Sequence, residues 1–320
     1  MFQFNKKLLP RSLPPFTSAQ AIASLPHALD TVVLAPRILK AHLRNPLLLI
    51  VDLTTPHIYA QGHISGAVFL DYHRQLEVTH PPLSGRFPSV NGFSRLLSEL
   101  GVTSETHIVA YDEEGGDKAG RLCWALDSMG HHRWSLLDGG RIAWLKELYP
   151  LDHVPVKRIP SNYWASFQPQ FMVTQEYILS RLGADDMVLL DARTPGEFSG
   201  EDFITVKAGH IPGAVNLDWM LTLDTARGWR IRSRNYLKKL FENAGVTPTK
   251  EIITYCHGHQ RAAHTYVVLK LLGYPNIKGY VGAWNEWGNL ADTPVEQSFS
   301  FAEGTRPEMI TITNADSKSV

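Results

Sequence analysis

The sequence predicts an α/β protein of two similar domains, each with a mostly parallel central sheet flanked by helices. Two observations predict this class. Short apolar runs alternate with amphipathic segments, and the signals of the first half recur in the same order in the second. Such alternation is typical of parallel sheets, because a helical crossover joins neighbouring parallel strands. A repeat of domain length also excludes a solenoid, whose units are far shorter.

The repeat is carried by matching turns and single residues. A Gly-His-Ile turn at 62–68 corresponds to one at 209–215, and the Gly-Val-Thr turn at 101–103 corresponds to one at 245–247. Further matched pairs are Asp52 with Asp191, Gly139 with Gly282, and Trp144 with Trp287. We therefore predict five segments: an N-terminal extension 1–30, a first domain 31–149, a linker 150–170 containing four prolines, a second domain 171–297 and a tail 298–320.

Strands and helices follow from the apolar patterning of each half. The short β-branched or aliphatic runs predict inner strands, and the longer amphipathic runs predict helices. The last helix is expected to end at Gly273, because Pro275 follows shortly after. The predicted strands are 47–52, 187–191 and 252–254, and the predicted helices are 93–100, 235–244 and 262–272.

Composition limits the function classes. The chain has 320 residues, 44% of them hydrophobic, and a formal net charge of zero, so no global field favours nucleic acid. No stretch is apolar enough to cross a membrane. Two cysteines make no disulfide framework and favour a reducing compartment, so we expect a cytoplasmic protein. We also expect a monomer. The N-terminal extension, with Lys6, Lys7 and Arg11, leaves mitochondrial import as an alternative.

Cys256 lies between the strand 252–254 and the helix 262–272, with Arg261 closing the loop. In parallel sheets, ligands gather at the carboxyl ends of the strands, which is where this cysteine falls. Unpaired amides and the positive end of the helix dipole favour an anion there, so Cys256 is a candidate nucleophile. The alternative is an inert core cysteine. Cys123, on a helix of the first domain, fits that alternative better.

The chain resembles the two-domain rhodaneses, a family of thiosulfate and related sulfurtransferases, over roughly residues 31–297. The resemblance rests on the strand-end aspartates, the Gly-His-Ile-(Ser/Pro)-Gly-Ala turns, the loop 256–261 and the segment 279–287, Gly-Tyr-Val-Gly-Ala-Trp-Asn-Glu-Trp. It implies that each domain is rhodanese-like, that the second domain is catalytic, and that the first has lost its cysteine, since Asp112 takes its place. It implies no cofactor.

The resemblance also implies a mechanism. Cys256 would take the outer sulfur of a small anionic donor such as thiosulfate, hold it as a persulfide, and pass it to cyanide, a thiol or a protein acceptor. The loop amides would cradle the sulfur: His257, Gly258, His259, Gln260 and Arg261. Arg261 would either supply charge to the donor or brace the loop through backbone carbonyls or through Asp191 or Glu197.

Other residues near the loop each have two interpretations. His257 and His259 could add charge, but solvated loop histidines are the simpler expectation. With Cys256 and His264 they suggest zinc, yet consecutive loop residues are poorly placed to converge on an ion, so we expect no metal. Arg193 could contact the donor or pair with Glu197, and the ion pair is the default.

Aromatic residues and the first domain add three expectations. The resemblance places Trp219 in the pocket wall, and a core position is the alternative. Trp284 and Trp287 should pack the domain. The loop 112–118 of the first domain contains Glu113, Glu114 and Asp117 besides Asp112, so it should repel anionic donors and serve to cover the catalytic domain.

Three alternatives to thiosulfate transfer stay open. A 3-mercaptopyruvate sulfurtransferase usually carries a small neutral Cys-Gly-(Ser/Ala)-Gly-Val-Thr loop, from which Cys-His-Gly-His-Gln-Arg departs at most positions. A phosphatase of related fold uses a Cys-x5-Arg loop, whereas only four residues separate Cys256 from Arg261 here. A non-enzymatic persulfide carrier or interaction module would transfer sulfur rapidly to a protein and slowly to small acceptors.

Overall fold

A computed structural model describes residues 28–80 and 83–298. The predicted extension 1–30 and tail 298–320 fall almost entirely outside these residues. In the first half the elements are β1 Val33–Leu34, α1 Pro36–His42, β2 Leu48–Asp52, α2 Pro56–Gln61, β3 Ala67–Phe69, α3 Tyr72–Gln75, β4 Val78–His80, β5 Leu83–Arg86, α4 Val90–Glu99, β6 His107–Tyr111, α5 Asp117–Ser128, β7 Trp134–Leu137 and α6 Gly140–Lys146.

The second half repeats this order with small changes. Its elements are β8 Met172–Val173, α7 Gln175–Arg181, β9 Met187–Asp191, α8 Pro195–Ser199, β10 Val215–Asn216, β11 Leu223–Asp224, β12 Arg230–Ile231, α9 Arg234–Asn243, β13 Glu251–Tyr255, α10 Gln260–Leu272, β14 Ile277–Tyr280 and α11 Ala283–Trp287. Short 3₁₀ helices lie at Pro169–Phe171, Trp219–Thr222 and Thr225–Arg227.

Two parallel sheets confirm the predicted α/β class. The first has the strand order β1-β7-β6-β2-β3 and the second has the order β8-β14-β13-β9-β10, so the two sheets share one topology. Strands β2, β6, β9 and β13 are buried along their whole length, because helices cover both faces of each sheet. The antiparallel hairpins β4–β5 and β11–β12 were not predicted.

The predicted elements lie within a few residues of the observed ones. The strand 187–191 matches β9, and α10 begins two residues earlier than predicted because the loop before it is shorter. Gly273 ends α10 with φ +88°, a left-handed conformation that glycine adopts without strain. The capping side chains fit their positions, since Ser233 accepts a hydrogen bond from the Tyr236 N–H at the start of α9.

The two domains pack through α5 and α10. A Cβ atom on Gly120 of α5 would lie 2.9 Å from the backbone N of His264 in α10, so only glycine permits this close approach. Asp127 of α5 accepts a hydrogen bond of 2.8 Å from the Tyr266 hydroxyl and pairs with Lys270, both on α10. The side chain of Cys123 is fully buried in α5, as expected of an apolar filler.

The segment 150–170 lies along the first domain and contains no helix before the 3₁₀ helix that begins at Pro169. The Ser161 N–H donates to the Ser98 carbonyl at 2.8 Å, and the Ser166 N–H donates to the Met129 carbonyl at 3.0 Å. Its backbone is therefore held against α4 and the end of α5. None of the helices in residues 28–80 and 83–298 combines the length and the apolar character needed to cross a bilayer.

Candidate active site

Cys256 follows β13, an interior strand of the second sheet. Its neighbours β9 and β14 flank β13, and Tyr255 pairs with Asp191 at the carboxyl edge. The cysteine is 1% exposed. The sulfur therefore lies at the edge where parallel sheets place their ligands, in surroundings almost free of bulk water.

The loop after Cys256 is held by its carbonyl groups. The Cys256 carbonyl accepts from the Trp284 N–H at 2.8 Å, and the His257 carbonyl accepts from the Asn285 N–H at 3.0 Å. The amides of residues 258–261 donate to no acceptor within the described part of the chain. They thus form a set of unsatisfied donors at the start of α10, beside the cysteine.

The matching loop of the first domain shows what such amides do when an anion is present. The Asp112 carboxylate accepts hydrogen bonds from the backbone N–H groups of Glu114 at 3.0 Å, Gly116 at 2.8 Å and Ala119 at 2.9 Å. The loop and the first turn of α5 therefore wrap around one carboxylate, and their amides oppose the burial that raises the pKa of Asp112. Cys256 occupies the corresponding position in the second domain.

Arg261 and Glu197 form a two-pronged ion pair next to Cys256. Their nitrogen–oxygen distances are 2.6 and 2.8 Å. Burial disfavours the charge of Glu197, but Arg261 and the capping bonds from Thr194 outweigh burial and lower its pKa to about 2. Burial also disfavours the charge of Arg261, yet Glu197 and the nearby Cys256 raise its pKa. Arg261 thus braces the loop through Glu197 and stays charged.

Arg193 pairs with Asp191, so the expected pair with Glu197 is wrong. Its Nε lies 3.0 Å from both carboxylate oxygens of Asp191, and its Nη2 lies 2.6 Å from one of them. Nη2 also donates to the Gly209 carbonyl at 2.8 Å, and the guanidinium stacks on Trp284 at 4.4 Å. The Arg193 side chain points back towards the end of β9, because Glu197 already pairs with Arg261.

The expectation of solvated loop histidines is wrong for His259. This residue is fully buried, adopts φ +63°, and places its ring 4.3 Å from the ring of Trp124 in the first domain. Burial, and secondarily the charge of Arg121, hold the pKa of His259 well below its usual range, so the ring is neutral. His257 is half-buried, and burial together with Arg261 lowers its pKa.

Trp219 lies at the domain interface. Its ring meets the His264 ring edge-on at 5.2 Å, and a Cβ atom on Gly115 of the first domain would lie 3.3 Å from it. His264 itself contacts Thr222 at 3.1 Å. No group of three or more metal-binding side chains lies within residues 28–80 and 83–298.

Comparison with known proteins identifies the family. The model of the rhodanese-like domain matches twice, at residues 35–147 and 174–290. These matches cover most of the chain, and each contains four of the five strands of one parallel sheet. The chain belongs to the rhodanese family.

Two bacterial relatives illustrate the relationship. The thiosulfate sulfurtransferases of Pseudomonas aeruginosa and Azotobacter vinelandii are each 43% identical to this chain over 274 residues, which is 86% of this chain and 98% of theirs. Among solved structures, the 3-mercaptopyruvate sulfotransferase SseA from Escherichia coli is 30% identical with a TM-score of 0.71, over 79% of this chain and 99% of that one.

Two residues of the first rhodanese domain lie beside the active-site loop and were not predicted: Trp124 contacts His259, and Tyr72 is close enough to Gln260 for that side chain to oppose the rise in the Tyr72 pKa that burial causes. A third, Arg121, stacks on Trp124 with its guanidinium carbon 4.7 Å from the ring centre. Of these residues, only Arg121 could have been singled out from the sequence, because it is an arginine within an apolar helical run. An arginine in such a run must meet a partner or a function to offset its burial.

Proposed function

We propose that the protein is a thiosulfate sulfurtransferase that works through a Cys256 persulfide. The Cys256 thiolate attacks the outer sulfur of thiosulfate, the S–S bond breaks, and sulfite leaves with the electron pair of that bond. The enzyme then holds an anionic persulfide. Cyanide or another nucleophile attacks the outer persulfide sulfur, forms thiocyanate or the corresponding product, and regenerates the thiolate. Two successive displacements of this kind give ping-pong kinetics.

The observation that carries the proposal is the cysteine at the carboxyl end of β13 beside the unsatisfied amides of residues 258–261. Such amides stabilise a negative sulfur, both as thiolate and as persulfide. The Asp112 carboxyl group in the first domain supports this interpretation, because the amides of the same type of loop there donate three hydrogen bonds to its oxygens. The 43% identity to two thiosulfate sulfurtransferases supports the donor.

We assign supporting roles to the two arginines of the second domain. Arg261 keeps its charge near Cys256 while Glu197 fixes its position. Arg193 is committed to Asp191 and to the Gly209 carbonyl, so it holds the Gly-His-Ile turn against β9. We assign Trp219 to the wall of the site that faces the first domain, because its ring lies against Gly115 of that domain and against His264 of α10.

A second donor has one observation in its favour. SseA from Escherichia coli, a 3-mercaptopyruvate sulfotransferase, is 30% identical to this chain, and its structure covers 79% of it. The active-site loop argues against mercaptopyruvate as the donor. His257, His259 and Arg261 stand where mercaptopyruvate enzymes usually carry small neutral residues. We therefore rank the inorganic anion first and treat mercaptopyruvate as the competing donor.

The burial of Cys256 has a kinetic consequence. At 1% exposure, a donor reaches the sulfur only when a neighbouring side chain moves aside. We expect loading by thiosulfate to be faster than alkylation by a bulky neutral reagent, because the charged site attracts the anion and excludes the larger molecule.

The test compares three purified proteins: wild type, Cys256→Ala and Cys123→Ala. Wild type is incubated with thiosulfate, and the mass of the Cys256 peptide is measured to detect one added sulfur atom. Cyanide is then added, and the thiocyanate formed is measured. Cys256→Ala should abolish both signals, and Cys123→Ala should retain both, because Cys123 is buried within α5. Full activity in Cys256→Ala would reject the proposal.

Further assays on the same protein distinguish the alternative functions. If 3-mercaptopyruvate loads Cys256 with sulfur and thiosulfate does not, 3-mercaptopyruvate is the donor. Hydrolysis of a phosphate ester would indicate the phosphatase. Slow transfer to cyanide with rapid transfer to a protein thiol would indicate a persulfide carrier.

We further propose a cytoplasmic monomer with domain boundaries at 31–149 and 171–297. Two cysteines without a disulfide in the described structure support a reducing compartment. Size-exclusion chromatography with light scattering tests the monomer, and fractionation of the source cells tests the compartment. Expression of residues 171–297 alone tests whether the second domain folds independently.

A further inference from the structure

Residue 259 precedes the helix after Cys256 in a conformation that usually requires glycine. His259 lies directly before α10 with φ +63° and ψ +20°, which is the left-handed region. Gly116 lies directly before α5 of the first domain in the same region, with φ +95°. Both helices therefore start from the same kind of turn, but the second domain uses a residue whose Cβ atom makes this conformation costly. Contacts of the His259 side chain must offset that cost.

The His259 side chain contacts both domains. It is fully buried, and its ring centre lies 4.3 Å from the ring centre of Trp124 in α5. The same ring lies against β14 of its own domain, because a Cβ atom on Gly279 would come within 2.3 Å of His259 Nε2. Trp124 is itself fixed by a hydrogen bond of 3.0 Å from its Nε1 to the Phe171 carbonyl. The ring thus fills a slot formed by Trp124 of one domain and Gly279 of the other.

The shape of the ring, and not its polarity, makes these contacts. Both nitrogens of His259 are buried, and neither has a hydrogen-bond partner among the residues that the structure describes. Burial holds the pKa of His259 well below its usual range, so the ring is also uncharged. A group that is neither charged nor hydrogen-bonded acts on its neighbours mainly through van der Waals contact.

The conformation of residue 259 decides where the loop amides point. Each peptide group is planar and turns as a unit, so φ and ψ at residue 259 set the directions of the N–H groups on either side of it. These groups belong to the unsatisfied amides 258–261 beside Cys256. A displacement of about 1 Å at a catalytic site can cost about a hundredfold in rate. A side chain that fixes residue 259 therefore also fixes the cradle for the sulfur.

We infer that His259 is a positioning residue of the active-site loop: its ring, in contact with Trp124 and Gly279, keeps residue 259 left-handed and so directs the loop amides towards Cys256. This role depends on the proposed function and deepens it. It also makes the first domain a structural part of the active site, since one side of the slot belongs to α5.

The test removes the ring without adding backbone strain. His259→Gly keeps the left-handed conformation accessible and loses the side chain, whereas His259→Phe and His259→Leu fill the slot without nitrogen atoms. Leu148→Gly is the matched control, because Leu148 is also left-handed, with φ +57°, but is 90% exposed after α6. The readout is the rate at which thiosulfate adds one sulfur to Cys256, followed by mass over a range of thiosulfate concentrations.

We expect the maximal loading rate of His259→Gly to fall roughly ten- to hundredfold, because the amides are no longer held in place. The thiosulfate concentration that gives half of the maximal rate should change by less than about threefold, because Arg261 and its charge are retained. At least one of His259→Phe and His259→Leu should load within about threefold of the wild-type rate. Leu148→Gly should match wild type.

Two results would overturn the role of His259. A purely structural residue would give a His259→Gly protein with a lower thermal midpoint but an unchanged loading rate per folded molecule. An equal loss of rate in the Gly, Phe and Leu variants would assign the effect to the ring nitrogens instead of the ring shape.

A further variant keeps the role testable if His259→Gly does not fold. His259→Asn then replaces it, because asparagine accepts the left-handed conformation and its side chain is shorter. A slower loading rate in folded His259→Asn supports the role, and a wild-type rate overturns it. If wild type takes no sulfur from thiosulfate, the proposed function fails. If wild type loads and the variants without the ring load equally fast, only the role of His259 fails.

Discussion

The ion pair between Glu197 and Arg261 gives the sharpest prediction about stability. Glu197→Gln keeps the shape of the side chain and removes its charge. In wild type the carboxylate accepts two hydrogen bonds from Arg261 and two from Thr194, and this arrangement moves its pKa from 4.5 to about 2. The folded state therefore prefers the ionised form more strongly than the unfolded state does.

The size and the pH window of the effect follow from linkage. A shift from 4.5 to about 2 corresponds to about 3 kcal/mol of folding free energy at neutral pH. Because the pKa is lowered in the folded state, this stabilisation is complete above the unfolded pKa and is lost as pH falls from 4.5 towards 2. At pH 3 only about half of it should remain.

The assay is urea unfolding of wild type and Glu197→Gln at pH 7, 5, 4 and 3, followed by tryptophan fluorescence. We expect Glu197→Gln to be less stable by about 2 to 3 kcal/mol at pH 7, and the difference to shrink by more than 1 kcal/mol by pH 3. Glu242→Gln, on the exposed face of α9, is the control and should show neither effect. A difference that stays constant over this pH range would refute the reasoning.

Two more predictions concern the domain interface. Asp127→Asn weakens the contacts with Tyr266 and Lys270 across α5 and α10 and should cost about 3 kcal/mol in urea unfolding. Asp186→Asn, in an exposed pair with Arg181, should have a much smaller effect, and equal losses would contradict this. Burial lowers the pKa of His264 to about 4 from 6.5, so the folded state loses stability as pH falls below 6.5. Between pH 7 and 5.5 wild type should lose about 1.2 kcal/mol more than His264→Gln, and parallel pH curves would exclude the effect.

The sequence determined the elements whose cause is local. The apolar runs before Asp191 and Cys256 had to become inner strands because they offer no polar face, and Gly273 had to end α10. Since the signals recur in order, the repeat also determined that two domains share one topology. The position of Cys256 at a strand end followed from the same patterns.

The tertiary structure decided which side chains meet. The spacing of Arg193 and Glu197 along the chain is compatible with an ion pair between them. In the fold, however, Glu197 pairs with Arg261, which lies in a loop far away in sequence, and Arg193 pairs with Asp191. The burial of His259 and the position of Arg121 depend on how the first domain packs on the second. Gly120 and Asp127 of α5 set that packing, and the local sequence pattern of α5 does not indicate that their face contacts α10. Sequence periodicity reports which face of an element is buried, whereas the partner of that face is fixed only by the complete fold.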